Sequence, residues 1–480
     1  VDIETAQRTD LTPGNRHPSP RLTLLLEAPP ARLLLRLATP NVITALTMSG
    51  VTFADAWFVG QLGIEALAAL ALVFPFQALM QMMAAGAVGG GIASATARAL
   101  GAGNVDKAAE LAWHAILIGL LLSLVYVLAL GIMAQPLFAF FKVSNAVQEN
   151  AVAYAQIVFG GATIMWLLQG FFAILRGSGD TINPARAIVT SSLIQIALSG
   201  ALTLGWGPFP ALGMRGPAVA MLLSLATAGI YLGWILMRPT TKNRVVRLRP
   251  YPIRWTPIKE IMAVGFLGLI NSLTIALTVV AVTRLVTEFG TAALAGYGLG
   301  SRLELMLVPL AFGVGGALTG AVGANVGAGQ YPRARRLAWS GALVTGSVTG
   351  TLGIIVAIWP ELWLNFFTTN SGAFSMGALY LLIAGPFYGL FGAGQTLYFA
   401  SQGTGHMTLP VTVGALRFLV AAGGGTLVVF LNGSIEMLFI CVSLGLAIIG
   451  IGTALCLKSR SWRSEEEILS AQKMGNSKLY

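Results

Sequence analysis

Charge is what this chain has least of: only 10% of its 480 residues are Asp, Glu, Lys or Arg, and the mean hydropathy is +0.78. Soluble domains carry about 25% charged residues, so a water-soluble globular class is excluded. Cysteine and histidine are as scarce. Cys441 and Cys456 both lie in the last apolar run and read as packing residues, not as a disulfide or thiolate-metal framework. His17, His114 and His406 are scattered and match no ligand spacing, so no metal and no cofactor is expected. Paired carboxylates or a Ser/His couple at matching depth are missing too, which argues against a membrane-embedded enzyme. "GSGDTINP" at 177–184 invites a phosphate-loop reading, but it has no GxxxxGK[ST] and no strand before it. The net charge of +11 does not point to nucleic acid, because the cations are spread through the connections between apolar runs instead of forming a basic face.

Those apolar runs are what is there. Uncharged stretches longer than about 18 residues recur, each able to cross roughly 30 Å of hydrocarbon as a helix, and the long Gly-rich runs lack the short alternating segments of a barrel. The expected fold is an all-α membrane protein of about twelve spans: 37–60, 64–100, 107–134, 148–174, 184–206, 212–238, 257–288, 291–326, 333–359, 374–400, 408–430 and 435–457. The second and eighth are overlong and Gly-rich and are expected to bend and to project beyond the bilayer. Residues 1–36 read as a tail, unstructured to about Pro20 and then a short amphipathic helix on the membrane surface, and not as a cleavable signal. A basic linker is expected at 239–256 and a second tail at 458–480.

Arg and Lys set the sidedness, since short cytoplasmic loops hold their excess. One side collects Arg21, Arg32, Arg36, Arg98, Lys107, Arg176, Arg186, the 238–259 connection, Arg333, Arg335, Arg336 and Lys458; the other has only Lys142 and Arg215. Both termini are therefore expected in the cytoplasm, with the chain in the cell (inner) membrane.

An internal repeat organises the spans. A shift of 226 carries Gly101-Ala102-Gly103 onto Gly327-Ala328-Gly329 and Leu111-Ala112-Trp113 onto Leu337-Ala338-Trp339. It also carries Phe140-Phe141 onto Phe366-Phe367, Tyr154 onto Tyr380, Gln169 onto Gln395, and Pro184 onto Pro410. Upstream, "GIEALAAL" aligns with "GTAALAGY" only at 227, so one residue has been gained inside the second or eighth span. Six spans per half is an even number, so two pseudo-symmetric six-helix lobes, 37–238 and 257–457, face each other about an axis along the membrane normal. That is the plan of a carrier that rocks between two open states.

Several stretches resemble the multidrug and toxic compound extrusion (MATE) exporters: "ATPNVITALTMSGVTFADAWFVGQLGIEALAAL", the paired loops "LRGSGDTINPA" and "SQGTGHMTLP", and "VGANVGAGQYPRARR". The resemblance runs from about 37 to 457 and implies export of amphipathic, often cationic, organic compounds against inward protons or sodium, without a nucleotide. It puts the family's first-span acid at Asp55 and its cation site in the first lobe. Where relatives carry a pattern like "NIxLDP" in the fifth span, this chain has "QIALSG", so Gln195 and Ser199 stand there and the second acid is missing.

Asp55 also stands out physically. An acid at the centre of a span costs about 2.5–3.5 kcal/mol to insert, so it faces a polar interior or lies near the interface. An acid taken out of water holds its proton more tightly, which suits a group that loads and unloads one as water access changes. Asp55 maps onto Val282, so only the first lobe has this acid. Gln195 and Ser199, four apart on one helical face, and Asn41 with Thr44 on the first span, are the candidates to complete its cage; polar packing between helices is the plainer alternative. Sodium needs several oxygens and a proton fewer, so the proton is favoured. In the second lobe Arg302 and Glu304 are two apart and cannot share a face, so Glu304 is expected to meet Arg417, as a structural ion pair or as a second coupling site. Arg284 and Glu288 read as a helix-end pair, Asp180 as a cap of the fifth span, and Arg176 as facing the anionic leaflet. Substrate-lining candidates are Gln77, Gln81, Trp57, Trp166 and Gln169, set among methionines that adapt to varied ligands but pack cores as readily.

These observations favour a monomeric secondary antiporter whose partners are small organic substrates and membrane lipid. A lipid-linked saccharide flippase of similar fold is the alternative. It needs arginines along the cleft for pyrophosphate, and Arg302 and Arg417 are the ones available.

Overall fold

The computed structural model describes residues 20–141, 143–238, 246–464 and 467. Residues before Pro20, Lys142, the stretch 239–245 of the expected linker and nearly all of the tail after 464 therefore lie outside the described residues.

Among the described residues eleven helices are long and apolar enough to cross a membrane: Pro30–Gly60, Ile64–Gly101, Val105–Ile132, Ile182–Leu204, Arg215–Met237, Trp255–Phe289, Thr291–Gly327, Tyr331–Ile358, Ser371–Thr404, Thr408–Phe430 and Ile435–Cys456. The pair Asn145–Gly160 and Ala162–Gly177, bent by 45°, makes the twelfth, fourth in chain order. Local chemistry sets several ends. Asn104, Ser144 and Asn370 cap the third, fourth and tenth spans by accepting from Lys107, Val147 and Ala373 backbone N–H groups. Gly103 and Gly329, related by the repeat, take φ of 76° and 74° in the turns after the second and eighth spans, where a side chain is disfavoured. The first span starts at Pro30, about two turns before the apolar run alone suggests, because Leu33, Leu34 and Leu37 bury against the second half of the protein.

The one-residue change of register has a structural counterpart. Residues Met82–Val88 of the second span form a π-helical segment, whereas the eighth span is continuous α-helix containing Pro309. A π turn holds one residue more than an α turn, so this segment absorbs the extra residue of the first half.

One apolar core runs through the first half, from Val59 to Val246, and takes in Ile261 of the seventh span; another runs through the second, from Val282 to Leu446. The halves meet where the second and eighth spans cross. A Cβ on Gly101 collides with the Ala324 carbonyl, and one on Gly327 collides with the Arg98 carbonyl. Since 98 and 324, like 101 and 327, differ by 226, the crossing is its own image under the repeat. The same holds nearby: Ser94 donates to the Gln402 carbonyl, and a Cβ on its counterpart Gly320 presses on the carbonyl of Arg176, the counterpart of Gln402. Without a hydrophobic drive between helices in lipid, such close backbone approach through small residues is what holds spans together.

The short helix Pro20–Glu27 does not lie free on a membrane surface. Arg21 pairs with Asp180 at 2.7 Å, Leu25 is 2% exposed, and the Leu25 and Ala28 carbonyls accept from Asn325 and Arg333. Its apolar face is covered by protein from both halves, which corrects the expectation of a lipid-covered face. Linker residues are also docked: Arg249 pairs with Asp106 at 2.8 Å, and the Arg254 backbone N–H donates to His114 Nε2. With Nδ1 of His114 against the Glu110 carbonyl, both ring nitrogens are occupied and the residue is architectural. At the far end of the chain Arg335 bonds Glu467 and the Trp462 carbonyl, and Trp462 is buried. All these contacts lie at the end of the bundle that carries the excess of Arg and Lys, here the basic end.

Candidate functional site

Asp55 sits five residues before the last residue of the first span and leans into the first half, not outward. Its Oδ2 accepts from Gln195 Nε2 at 2.9 Å and its Oδ1 from Ser199 Oγ at 2.6 Å, both on the fifth span. Gln195 and Ser199 are buried, and Asp55 takes part in none of the ion pairs among the described residues. Their four-residue spacing puts both donors on one face, as the sequence suggested. Behind them Ser224 of the sixth span donates to Gln195 Oε1 at 3.1 Å and also to its own Met221 carbonyl. Met221 Sδ accepts from Gln77 Nε2, and Gln77 Oε1 accepts from the Tyr154 hydroxyl at 3.4 Å. A polar chain thus joins the first, fifth, sixth, second and fourth spans inside one lobe.

The other sequence candidates divide. Gln77 is in this chain, and Gln81 is half-buried one turn on. Trp166 is buried deeper, its ring 5.9 Å from that of Tyr126, whose hydroxyl meets Met83 Sδ at 2.9 Å. Gln169 is half-buried one turn beyond Trp166. Trp57 points away: it is 59% exposed and touches the ring edge of Phe58. Asn41 is not in the cage, because fourteen residues of helix separate it from Asp55, about 21 Å. Its Nδ2 donates instead to the Gly313 carbonyl of the eighth span, across the interface between halves. Arg176 does not face a leaflet either. It is 3% exposed, lying between the rings of Phe172 and Phe312 with Nη2 on the Ala85 carbonyl, because Phe312 and the eighth-span glycines Gly316 and Gly320 close over it. Asp180 does cap the fifth span through the Asn183 N–H.

In the second half Glu304 meets Arg417 at 3.4 Å and accepts from the Tyr380 hydroxyl at 2.9 Å. Arg302 is exposed and outside this pair, as the two-residue spacing requires. Arg284 and Glu288 pair at the end of the seventh span. The repeat gives the pair a meaning that residue types alone did not. Upstream of the π segment the shift is 227, so Gln77 corresponds to Glu304, while Tyr154 corresponds to Tyr380. Each lobe therefore has a tyrosine hydroxyl on the same second-helix position, an amide in one and a carboxylate in the other. Tyr154, Met221 and Ser224 were missed as site residues; for Tyr154 its repeat match was the available signal, and for the other two there was none.

The hydrogen bonds and ion pairs that join the halves among the described residues lie from the level of Asn41 and Gly313 to the basic end, as at Ser94 with Gln402, Arg98 with Glu260, and Lys107 with Glu260. The opposite ends, where Asp55 lies, carry none among the described residues, so the polar contacts between the halves are gathered at the basic end.

The MatE family profile matches residues 40–199 and 269–425, one block in each half. Among curated proteins the chain is 29% identical to the "FAD transporter" of Shewanella oneidensis over 375 residues, 77% of this chain and 81% of that protein. It is 26% identical to the "Probable multidrug resistance protein NorM" of Thermotoga maritima over 383 residues, 79% and 81% of the two chains. A solved structure described as the outward-facing conformation of a multidrug resistance MATE family transporter superposes with a TM-score of 0.83 at 21% identity, covering 93% of this chain and 99% of that one. A MOP superfamily transporter from Pyrococcus furiosus superposes with a TM-score of 0.84 at 22% identity, with the same coverage. At that identity the likeness establishes the fold.

Proposed function

The chain belongs to the MatE family, and from that premise we propose that it is a secondary antiporter exporting amphipathic, often cationic, organic compounds in exchange for protons, with Asp55 as the coupling group. The basic end faces the cytoplasm of a cell whose inner membrane holds the protein as a monomer, and the rocking units are 37–238 and 257–457. The observation that carries the reading is a carboxylate inside a lobe, held by two neutral donors and by no cation.

The shell around Asp55 serves both protonation states. With the carboxylate ionised, Gln195 presents Nε2 to it and Oε1 to Ser224. When the acid carries a proton, rotation of the amide lets Oε1 accept the carboxyl O–H while Nε2 donates to Ser224 Oγ, whose single hydrogen then turns from Oε1 to the Met221 carbonyl. No partner is left unsatisfied in either state. The proton is favoured over sodium because the shell can turn only one amide oxygen and one hydroxyl toward the carboxylate, whereas a sodium ion needs several oxygens and a proton needs one. Because the polar contacts between the halves gather at the basic end, the proton in this reading enters from the end where Asp55 lies, and closure of that end with opening of the basic end delivers it to the cytoplasm.

The test is efflux of a cationic dye from vesicles under separately imposed proton and sodium gradients, native chain against Asp55→Asn. Gradient-driven efflux lost in the variant supports the reading; full-rate pumping by Asp55→Asn under either gradient overturns it. A second reading of the substrate, flavin dinucleotide, follows from the name of the Shewanella oneidensis relative, and the same vesicles loaded with FAD decide it. The flippase reading loses ground, since Arg302 is exposed and Arg417 is engaged by Glu304.

A further inference from the structure

A groove of about 950 Å³ lies between the first and fifth spans near the basic end, lined by residues of those two spans alone. Arg32 and Arg36, one turn apart on the first span, and Arg186 on the fifth line it at one end. All three are exposed, and none takes part in an ion pair among the described residues. From there the wall turns apolar: Ile43 lies about 10 Å further along the helix than Arg36, with Val189 opposite and Leu35 beside the arginines. Leu35 is 71% exposed and Ile43 48% exposed, on a helix long enough to cross the bilayer, so acyl chains are what they meet.

We propose that this groove is a binding site for an anionic glycerophospholipid of the leaflet at the basic end, its phosphodiester held by Arg32, Arg36 and Arg186 and one acyl chain laid along Ile43 and Val189. Guanidinium forks match the two free oxygens of a phosphodiester, and basic pockets between helices at a membrane surface recognise such headgroups. Three cations with no described counter-ion select an anionic lipid over a zwitterionic one. A soluble phosphate leaves the apolar wall uncovered, so the lipid is the better fit of the two sources. A lipid bound here holds together the inner ends of the two helices whose outer ends carry Asp55, Gln195 and Ser199.

The experiment is native mass spectrometry of the full chain released from detergent and titrated with phosphatidylglycerol, with phosphatidylcholine and with inorganic phosphate. The native chain is expected to retain one phosphatidylglycerol in preference to phosphatidylcholine, and inorganic phosphate is expected not to displace it. The variant R32Q/R36Q/R186Q is expected to bind that lipid more weakly, by about fivefold for each arginine removed. Val189→Trp keeps all three charges and fills the groove, so it loses the lipid by blockage and decides the matter if the triple variant does not fold. Equal retention by native chain and Val189→Trp overturns the site. Equal affinity for phosphatidylcholine, or displacement by inorganic phosphate, overturns the anionic lipid as its occupant.

Discussion

Asp55 and Glu304 stand at exchanged places in the repeat: where the first lobe has Asp55 and Gln77, the second has Val282 and Glu304. Their surroundings assign them different work. Asp55 is met by neutral donors only, whereas Glu304 is met by a guanidinium and a phenol. Gln195→Leu removes the adaptor that satisfies Asp55 in both protonation states. An unmade hydrogen bond to a buried group costs about 1–3 kcal/mol, so proton-driven efflux is expected to fall by about fivefold to a hundredfold while equilibrium dye binding stays nearly unchanged. An unaltered efflux rate would show that the amide has no part in coupling. Breaking a buried ion pair from one side costs about 3–5 kcal/mol, but replacing both partners by apolar residues is often neutral. Glu304→Gln is therefore expected to lower the thermal unfolding midpoint in detergent, and the triple variant E304L/R417M/Y380F, which also removes the hydroxyl that donates to Glu304, to restore it and keep native efflux. A folded triple variant without efflux would instead make Glu304 a second coupling group.

At the scale of helices, the crossing of the second and eighth spans leaves no room for side chains. Gly101→Val and Gly327→Val each drive a side chain into a backbone carbonyl of the opposite half, at Ala324 and at Arg98. Both are expected to prop the basic end open, read as faster alkylation of a cysteine placed at Ser94. Gly60→Ala has open space around it and is expected to be silent. Unequal effects of the two valines would break the pseudo-symmetry argument. Much of this level was legible beforehand, because the span number and a one-residue gain inside the second or eighth span are recorded in hydropathy and in a register shift. The π segment at Met82–Val88 is where that shift becomes geometry. What was not legible is which face meets which. Asn41 finds its partner 272 positions away, and Arg176 looks in sequence like any loop cation, yet it is enclosed by rings from both halves. Spacing along one helix fixes which residues share a face, as it did for Gln195 with Ser199, but it carries no information about the surface opposite.

The polar contacts between the halves are gathered at the basic end, and there the helix Pro20–Glu27 bonds residues of both halves. Arg21 holds the fourth-to-fifth connection of the first half through Asp180, while Leu25 and Ala28 are bonded by Asn325 and Arg333 of the second. In the proposed rocking motion these groups must part when the basic end opens, so the helix favours the closed basic end by the energy of those contacts. Burying a leucine is worth about 1.5–3 kcal/mol, and a partly exposed ion pair adds up to about 1 kcal/mol. The double variant R21A/L25A is therefore expected to shift the balance between the two states toward an open basic end by about tenfold to several hundredfold. Spin labels at A102C and A328C, repeat-related turn residues on either side of the crossing, report this in a background of C441S and C456S. The native chain should give mainly the short distance, and R21A/L25A a second, longer one. If the distance distribution is the same in both, the crossing helices alone hold the basic end shut and the helix only rides upon them.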